Sequence, residues 1–333
     1  MTPDDSARTN DAFATSAAVF VTTSTPFSDR AEIFVLDELK ALRQISTSFW
    51  VVPARRRNSV AEHSAVDSGL IGRVVSPAVF SIDIARGALR TVRRHPLTSR
   101  RQLWGILRNS GGRRNLVNNV AAFPKALWLA EFVRSSKAHH IHAYWMSHTA
   151  TMAMVASEIS GVSWSATGYR WDLDSANHMR AKFSTAAFLR CADELGLADM
   201  NRLRREHDAE THIELIRTGV RIAEAENWSS IPVDTNRFVC AGAFVPKKQQ
   251  ELLVRAFALH LVHHPTAVLE FIGDGPLRQR VGDVVNELGI GHSVTFRGTL
   301  ALDQLRTTLR ERPISVLPVS SPKTPNKKGS PSF

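Results

Sequence analysis

The chain has 333 residues, more than one average domain, and its 43% hydrophobic and 22% charged content is ordinary globular usage that excludes a disordered or collagen-like chain. Lys and Arg number 42 against 31 Asp and Glu, and the net charge of +11 favours anionic partners: nucleotide phosphates, nucleic acid or an acidic membrane surface. Two cysteines, Cys191 and Cys240, are too few for a disulfide framework and fit a reducing compartment. The start, with Asp4 and Asp5, lacks the basic opening of a secretory signal, and the run Ala14 to Thr22 is about half the roughly 20 residues a membrane span needs. A soluble, basic, cytoplasmic α/β protein is the expectation.

In chain order, residues 1–13 are polar and read as disordered. Ala17 to Val21 reads as a buried strand, Thr22 to Arg30 as a turn region, and Ala31 to Gln44 as a helix with Asp29 and Glu32 spaced like a capping box. Ser48 to Val52 is the next strand. Residues 54–115 show no clean period; they hold Arg55 to Arg57 and many further arginines with Leu97, Leu103, Trp104, Ile106 and Leu107 interleaved. Order returns after Pro124, with a helix at 125–135, a strand at 140–145, a helix at 149–160 ended by Gly161, and a strand at 162–167. Residues 14–223 thus form a first Rossmann-like domain and 224–237 a linker. In 238–319, strands at 238–244, 268–272, 294–297 and 314–319 alternate with three helices. The first would pack Leu252, Leu253, Ala256, Phe257 and His260 on one face, the second Leu277, Val281, Val284, Val285 and Leu288, and the third Leu302, Leu305 and Leu309. The tail 320–333 is rich in Pro and Lys, has no period and reads as disordered.

Several short motifs sit where parallel strands end, the place such sheets put their ligands. Gly273-Asp-Gly-Pro276 is a tight turn between strand and helix; it is neither a dinucleotide fingerprint nor a phosphate-binding Walker loop. Gly242 would allow close backbone approach, and Lys247 or Lys248 before the next helix could hold a phosphate. His140 and His142 would share one face of a strand, but no carboxylate or thiol cluster accompanies them, so a ligand-facing histidine is preferred to a metal site. Thr167 to Asp172 packs Tyr169, Arg170, Trp171 and Asp172 together, a set suited to a polyhydroxylated ligand. The arginine-rich block 90–114 would serve either as an amphipathic surface for anionic lipid or as a solvated basic face. No nucleic-acid-binding signature accompanies it, and no nucleic-acid partner is expected.

Together these pieces resemble family 4 glycosyltransferases of the exopolysaccharide and colanic-acid type. The resemblance runs from Val19 to Pro318 through Pro26–Leu42, His140–Trp145, Thr167–Asp172, Thr218–Val220, Ala241–Lys248, Gly273–Pro276, Val294–Gly298 and Ser315–Pro318. It implies a GT-B fold, two Rossmann-like domains facing a cleft. It implies retaining transfer of a sugar from a nucleotide-diphosphate sugar, with no metal, to a lipid-linked or other glycan acceptor, by an enzyme peripheral to the inner face of the plasma membrane. Carried over by position, His142, Tyr169 and Asp172 would be the catalytic residues facing the cleft. Gly242, Lys248, Gly273, Asp274, Gly275, Arg297 and Leu300 would bind the donor, with Arg297 to Leu300 acting largely through backbone.

The chain also departs from the family pattern. Its phosphate-binding Arg is Ala243, the Gly after its Lys is Gln249, the His of its cleft motif is Tyr169, and the Asp after its Gly-Val is Arg221. Two glutamates seven residues apart, which in the family grip the donor, would follow beyond Phe333, so the resemblance implies a truncated second domain and weak or no turnover. The alternative is a catalytically inactive basic scaffold or membrane-surface binder derived from such an enzyme.

Overall fold

The computed structural model describes residues 17–24, 33–45, 48–55, 70, 72–78, 81–219 and 232–318. The chain divides into two compact units, one up to Arg221 and one from Ile222 onward.

In the first unit a six-stranded sheet runs in the order β2-β1-β3-β4-β5-β6, with every neighbouring pair parallel. The strands are β1 (Ala17–Thr22), β2 (Phe49–Pro53), β3 (Ala138–Tyr144), β4 (Ser163–Gly168), β5 (Phe188–Cys191) and β6 (His212–Leu215). Side chains alternate between the faces. Val19, Val21, Ile141, Ala143, Trp164 and Ala166 point into the main core, while Phe49, Val51 and Tyr144 meet Val35 and Leu39 of α1 (Ile33–Ile45) on the other side. His140 and His142 of β3 share this second face with Tyr144, as their spacing predicts.

The unread arginine-rich stretch folds as α2 (Ile82–Arg94), α3 (Pro96–Asn109) and the start of α4 (Arg113–Ser135). Helix α4 runs straight through Pro124, where the sequence reading begins its helix. An interior Pro costs about 3 kcal/mol. Burial of Leu127, Leu129 and Val133 in the same helix offsets this, at about 1.5–3 kcal/mol per large apolar side chain. The carbonyl that Pro124 deprives of a donor belongs to Val120, on an exposed part of the helix. Helix α5 (His148–Ser160) follows β3. The sequence reading stops at β4 and misses β5, β6 and the helices α6 (Arg170–Leu173), α7 (Met179–Thr185) and α8 (Glu194–Glu206). The last two strands have four residues each, too short to display a period.

The second unit holds a four-stranded sheet in the order β10-β7-β8-β9, also parallel throughout. Its strands are β7 (Asp234–Ala241), β8 (Val268–Ile272), β9 (Val294–Gly298) and β10 (Pro313–Ser315). The start of β7 lies inside the predicted linker. The helices are α9 (Gln250–Leu261), α10 (Arg278–Glu287) and α11 (Leu302–Arg310). Val281, Val284 and Val285 of α10 share an inward face as predicted, in one core with Leu269 and Phe271 and with Leu277 packed on it, whereas Leu288 of the same predicted face is exposed. The face predicted for α9 is partly rotated: Phe257 is buried and Leu253 packs on the core as predicted, but Leu252 is 60% exposed and Gln250 and Val254 point inward instead. The Asp29–Glu32 capping box, both chain ends and most of the linker lie outside the described residues.

Candidate functional site

In the second unit the order of strands reverses between β7 and β10, and the loop after β7 lies at that switch point. This loop and the one after β8 are joined by backbone. Gly242 donates its N–H to Ile272 O at 2.8 Å, Phe244 donates to Asp274 O at 3.1 Å, and Leu277 donates to Phe244 O at 3.1 Å. The approach leaves no room for side chains. A Cβ on Gly273, whose φ is +138°, would lie 2.2 Å from the Gly242 carbonyl oxygen, and one on Gly275 would lie 2.6 Å from that of Phe244. Lys248 ends a short 3-10 turn (Pro246–Lys248) and folds back so that its Cε would sit 3.7 Å from a Cβ on Gly242. Its charge is felt at the Cys240 thiol, which burial pushes up to about 11 against that pull. A cation, a glycine-edged backbone and the first turn of α9 therefore meet at one sheet end, a group able to hold an anion.

The remaining donor candidates fall into two groups. Asp274 turns its carboxylate onto its own loop, accepting from Gly275 N at 2.8 Å. Gly298, beside Arg297, accepts from Gly273 N at 2.7 Å, so the backbone after β9 adjoins the same loops. The Arg297 guanidinium is engaged by Glu270 at 3.1 Å, and Glu270 also pairs with Arg237. Arg297 and Leu300 line a cavity of about 330 Å³ together with Arg237, Gln304, Thr308 and Glu311.

In the first unit Tyr169 and Asp172 stand together at the end of β4. Asp172 Oδ2 accepts from Met146 N at 3.2 Å and Tyr169 N at 3.4 Å, while Oδ1 is buried with no partner among the described residues. Desolvation raises its pKa to about 6. The Tyr169 ring lies 4.6 Å from that of Trp145, and burial raises the pKa of its phenol. His142 is held apart from the loops, within the sheet. Its Nδ1 pairs with Ser165 at 2.7 Å and its Nε2 with Thr167 at 2.9 Å. Burial, then the charges of His140 and Arg190, lower its pKa to about 3. His140 continues the same ladder onto Ser163 and Ser165. A neutral imidazole with both nitrogens engaged is an organising element of the sheet, and sequence spacing could not reveal the hydroxyls beside it.

Three further arrangements escaped the sequence. Lys182 is fully buried and donates to Met146 O at 2.8 Å and Ser147 O at 3.0 Å, fixing the loop that Asp172 holds from its other side. Desolvation lowers its pKa to about 7 against the pull of Asp172. Glu38 of α1 receives two hydrogen bonds from Arg190, at 2.9 and 2.5 Å, and one from Tyr144 at 2.8 Å. Gln250, at the start of α9, donates Nε2 to Ala243 O at 2.9 Å and so ties the helix to the loop after β7. A cavity of about 790 Å³ opens in the first unit beside His178, Arg180 and Arg202 and contains none of the predicted site residues. Among the described residues no three His, Cys, Asp or Glu side chains converge as a metal site.

Residues 222–325 match the family model "Glycosyl transferases group 1". No curated protein matches the chain. Among solved structures, the chain is similar to a lipopolysaccharide outer core galactosyltransferase WaaB in its apo form, with 12% identity, 91% of this chain and 74% of that one covered, and a TM-score of 0.56. It is similar also to Alr3699/HepE of Anabaena in complex with UDP and glucose, with 13% identity, coverage of 92% and 75%, and a TM-score of 0.59. The fold is therefore α/β with parallel sheets and GT-B glycosyltransferase neighbours, as expected, and the family match coincides with the unit that carries the loops after β7 and β8.

Proposed function

We propose that the chain is a retaining glycosyltransferase of the family 4 type. It moves a sugar from a nucleotide-diphosphate sugar to a lipid-linked or other glycan acceptor in exopolysaccharide or cell-surface glycan assembly, at the cytoplasmic face of the membrane. The observation that carries this reading is the loop pair of the second unit: Gly242 and Gly273 in backbone contact, Lys248 folded over them, all within the 104-residue match to group 1 glycosyltransferases. Lys248 offsets the charge that develops on the departing diphosphate, and it does so without a metal. Gly242, Gly273 and Gly275 let the diphosphate approach backbone, and the segment Arg297 to Leu300 passes the base, largely through its backbone. The first unit presents Tyr169 and Asp172 to the acceptor, and the clamp of Lys182 on Met146 and Ser147 keeps that loop in place. UDP is the first nucleotide to try, since the similar HepE structure holds it.

Calorimetric titration with UDP tests the donor site. Binding by the full chain is expected, weakened at least about tenfold by Lys248→Ala, the loss of one charge-assisted contact of roughly 1.5 kcal/mol. Absence of binding to UDP, GDP and ADP alike would overturn the reading. A second reading, a binding protein derived from such an enzyme, is favoured by Ala243 where the resemblance expects an Arg and by the fully engaged His142. Nucleotide binding without release of UDP from UDP-sugars, across a panel of acceptors, would select it.

A further inference from the structure

Residues 82–114 contain nine arginines and one carboxylate, Asp83, so a tenth of the chain carries a net +8 of the molecule's +11. Helices α2 and α3 write the same surface pattern. On α2, Ile82, Arg86, Leu89 and Arg93 recur at i, i+4, i+7 and i+11; on α3, Leu97, Arg101, Trp104 and Arg108 do the same, one exposed stripe on each helix. The buried sides are different residues: Ile84, Gly87 and Thr91 on α2, Ser99 and Ile106 on α3. Ile82 is 67% exposed, Leu89 50%, Leu97 75% and Trp104 59%, large apolar groups that a water-facing helix has no reason to display together. The start of α4 adds Arg113, Arg114 and Val117.

Some of the charge is internally neutralised: Arg90 and Arg94 face Glu131, and Arg101 pairs with Glu158. Arg86, Arg93, Arg100, Arg108, Arg113 and Arg114 form no ion pair with any described residue. Arg108 stacks 5.4 Å over the Trp104 ring, the pairing of indole and guanidinium that suits a headgroup layer. We infer that the α2–α3 face docks on the surface of an anionic bilayer, with Ile82, Leu89, Leu97 and Trp104 entering the acyl boundary and the unpaired arginines meeting lipid phosphates. Three observations favour lipid over other anionic or apolar partners. Exposed Ile and Leu offer nothing to a nucleic-acid backbone. A second copy of the same face would bring +8 against +8. The interleaving of exposed Ile, Leu and Trp with arginine on α2 and α3 is the pattern of helices that lie on a membrane surface. The inference does not depend on the donor site.

Co-sedimentation of the full chain with vesicles tests it. Vesicles of phosphatidylcholine containing one-third phosphatidylglycerol should carry the protein down, pure phosphatidylcholine should not, and added salt should release part of it. Arg93→Glu with Arg100→Glu should weaken binding at least about tenfold. Leu97→Ser with Trp104→Ser should weaken it comparably while leaving the thermal melt unchanged, because all four positions are exposed. No sedimentation with anionic vesicles, equal sedimentation with both lipids, variants that bind like the parent, or displacement of vesicles by duplex DNA would each overturn the inference. UDP binding without vesicle binding would overturn it and leave the donor reading standing; vesicle binding without UDP binding would do the reverse.

Discussion

Lys182 shows how far burial can change a residue that looks ordinary in sequence. Its ammonium has no access to solvent and spends its hydrogens on two carbonyls of the loop after β3, beside the half-satisfied carboxylate of Asp172. Lys182→Met removes both donors and leaves the Met146 and Ser147 carbonyls without them in a dry site. The expected loss is about 3 kcal/mol of stability, read from a denaturant melt of the full chain. A change within experimental error would mean that the loop is held without it. Nothing near Lys182 in the sequence marks it, because the groups it serves are about 35 residues earlier in the chain. Tyr169 and Asp172 were legible for the opposite reason: they are neighbours in sequence at a strand end, and local order alone brings them together.

Elements were legible where their period was long enough to count. Helix α10 and the strands of the second unit stand within a few residues of the sequence reading, and α9 shows the limit: its ends were readable, but its inward face was set by contacts with β7 and β8 that turn Leu252 outward. Helix α4 shows that a local rule yields when packing supplies more than the rule costs. The loops after β7 and β8 give a test at this scale. Gly273→Ala would drive a methyl into the Gly242 carbonyl and should cost on the order of 3 kcal/mol and abolish UDP binding, while Gly289→Ala, at φ +67° with open space around it, should cost about 1 kcal/mol and leave binding intact. Thermal melts and titrations of the two variants decide it; equal costs would show that backbone conformation, not loop contact, is the constraint.

For the whole molecule, the buried histidines of the first unit set the response to acid. Burial holds His142 at about 3, His148 at about 4 and His178 below its ordinary 6.5, so the folded chain refuses protons that the unfolded chain accepts below that value. Stability contributed by these groups is intact above pH 6.5 and is lost as pH falls toward their folded values. Asp172 works the other way between about 6 and its ordinary 3.8, since the folded state takes up its proton first. Three sites outweigh one, and the melting temperature should fall between pH 7 and pH 5; an unchanged or higher value at pH 5 would overturn this balance. The sequence by itself determined the α/β class, the order of most strands, the glycine turns and the concentration of arginine before residue 115, because each is written in neighbouring residues or in a short period. Only the tertiary structure decided that His142 is occupied by hydroxyls, that Arg297 belongs to Glu270, that Lys182 is buried, and that the arginines share exposed stripes with Leu and Trp. Those facts depend on which distant segments pack together and on how much water they exclude.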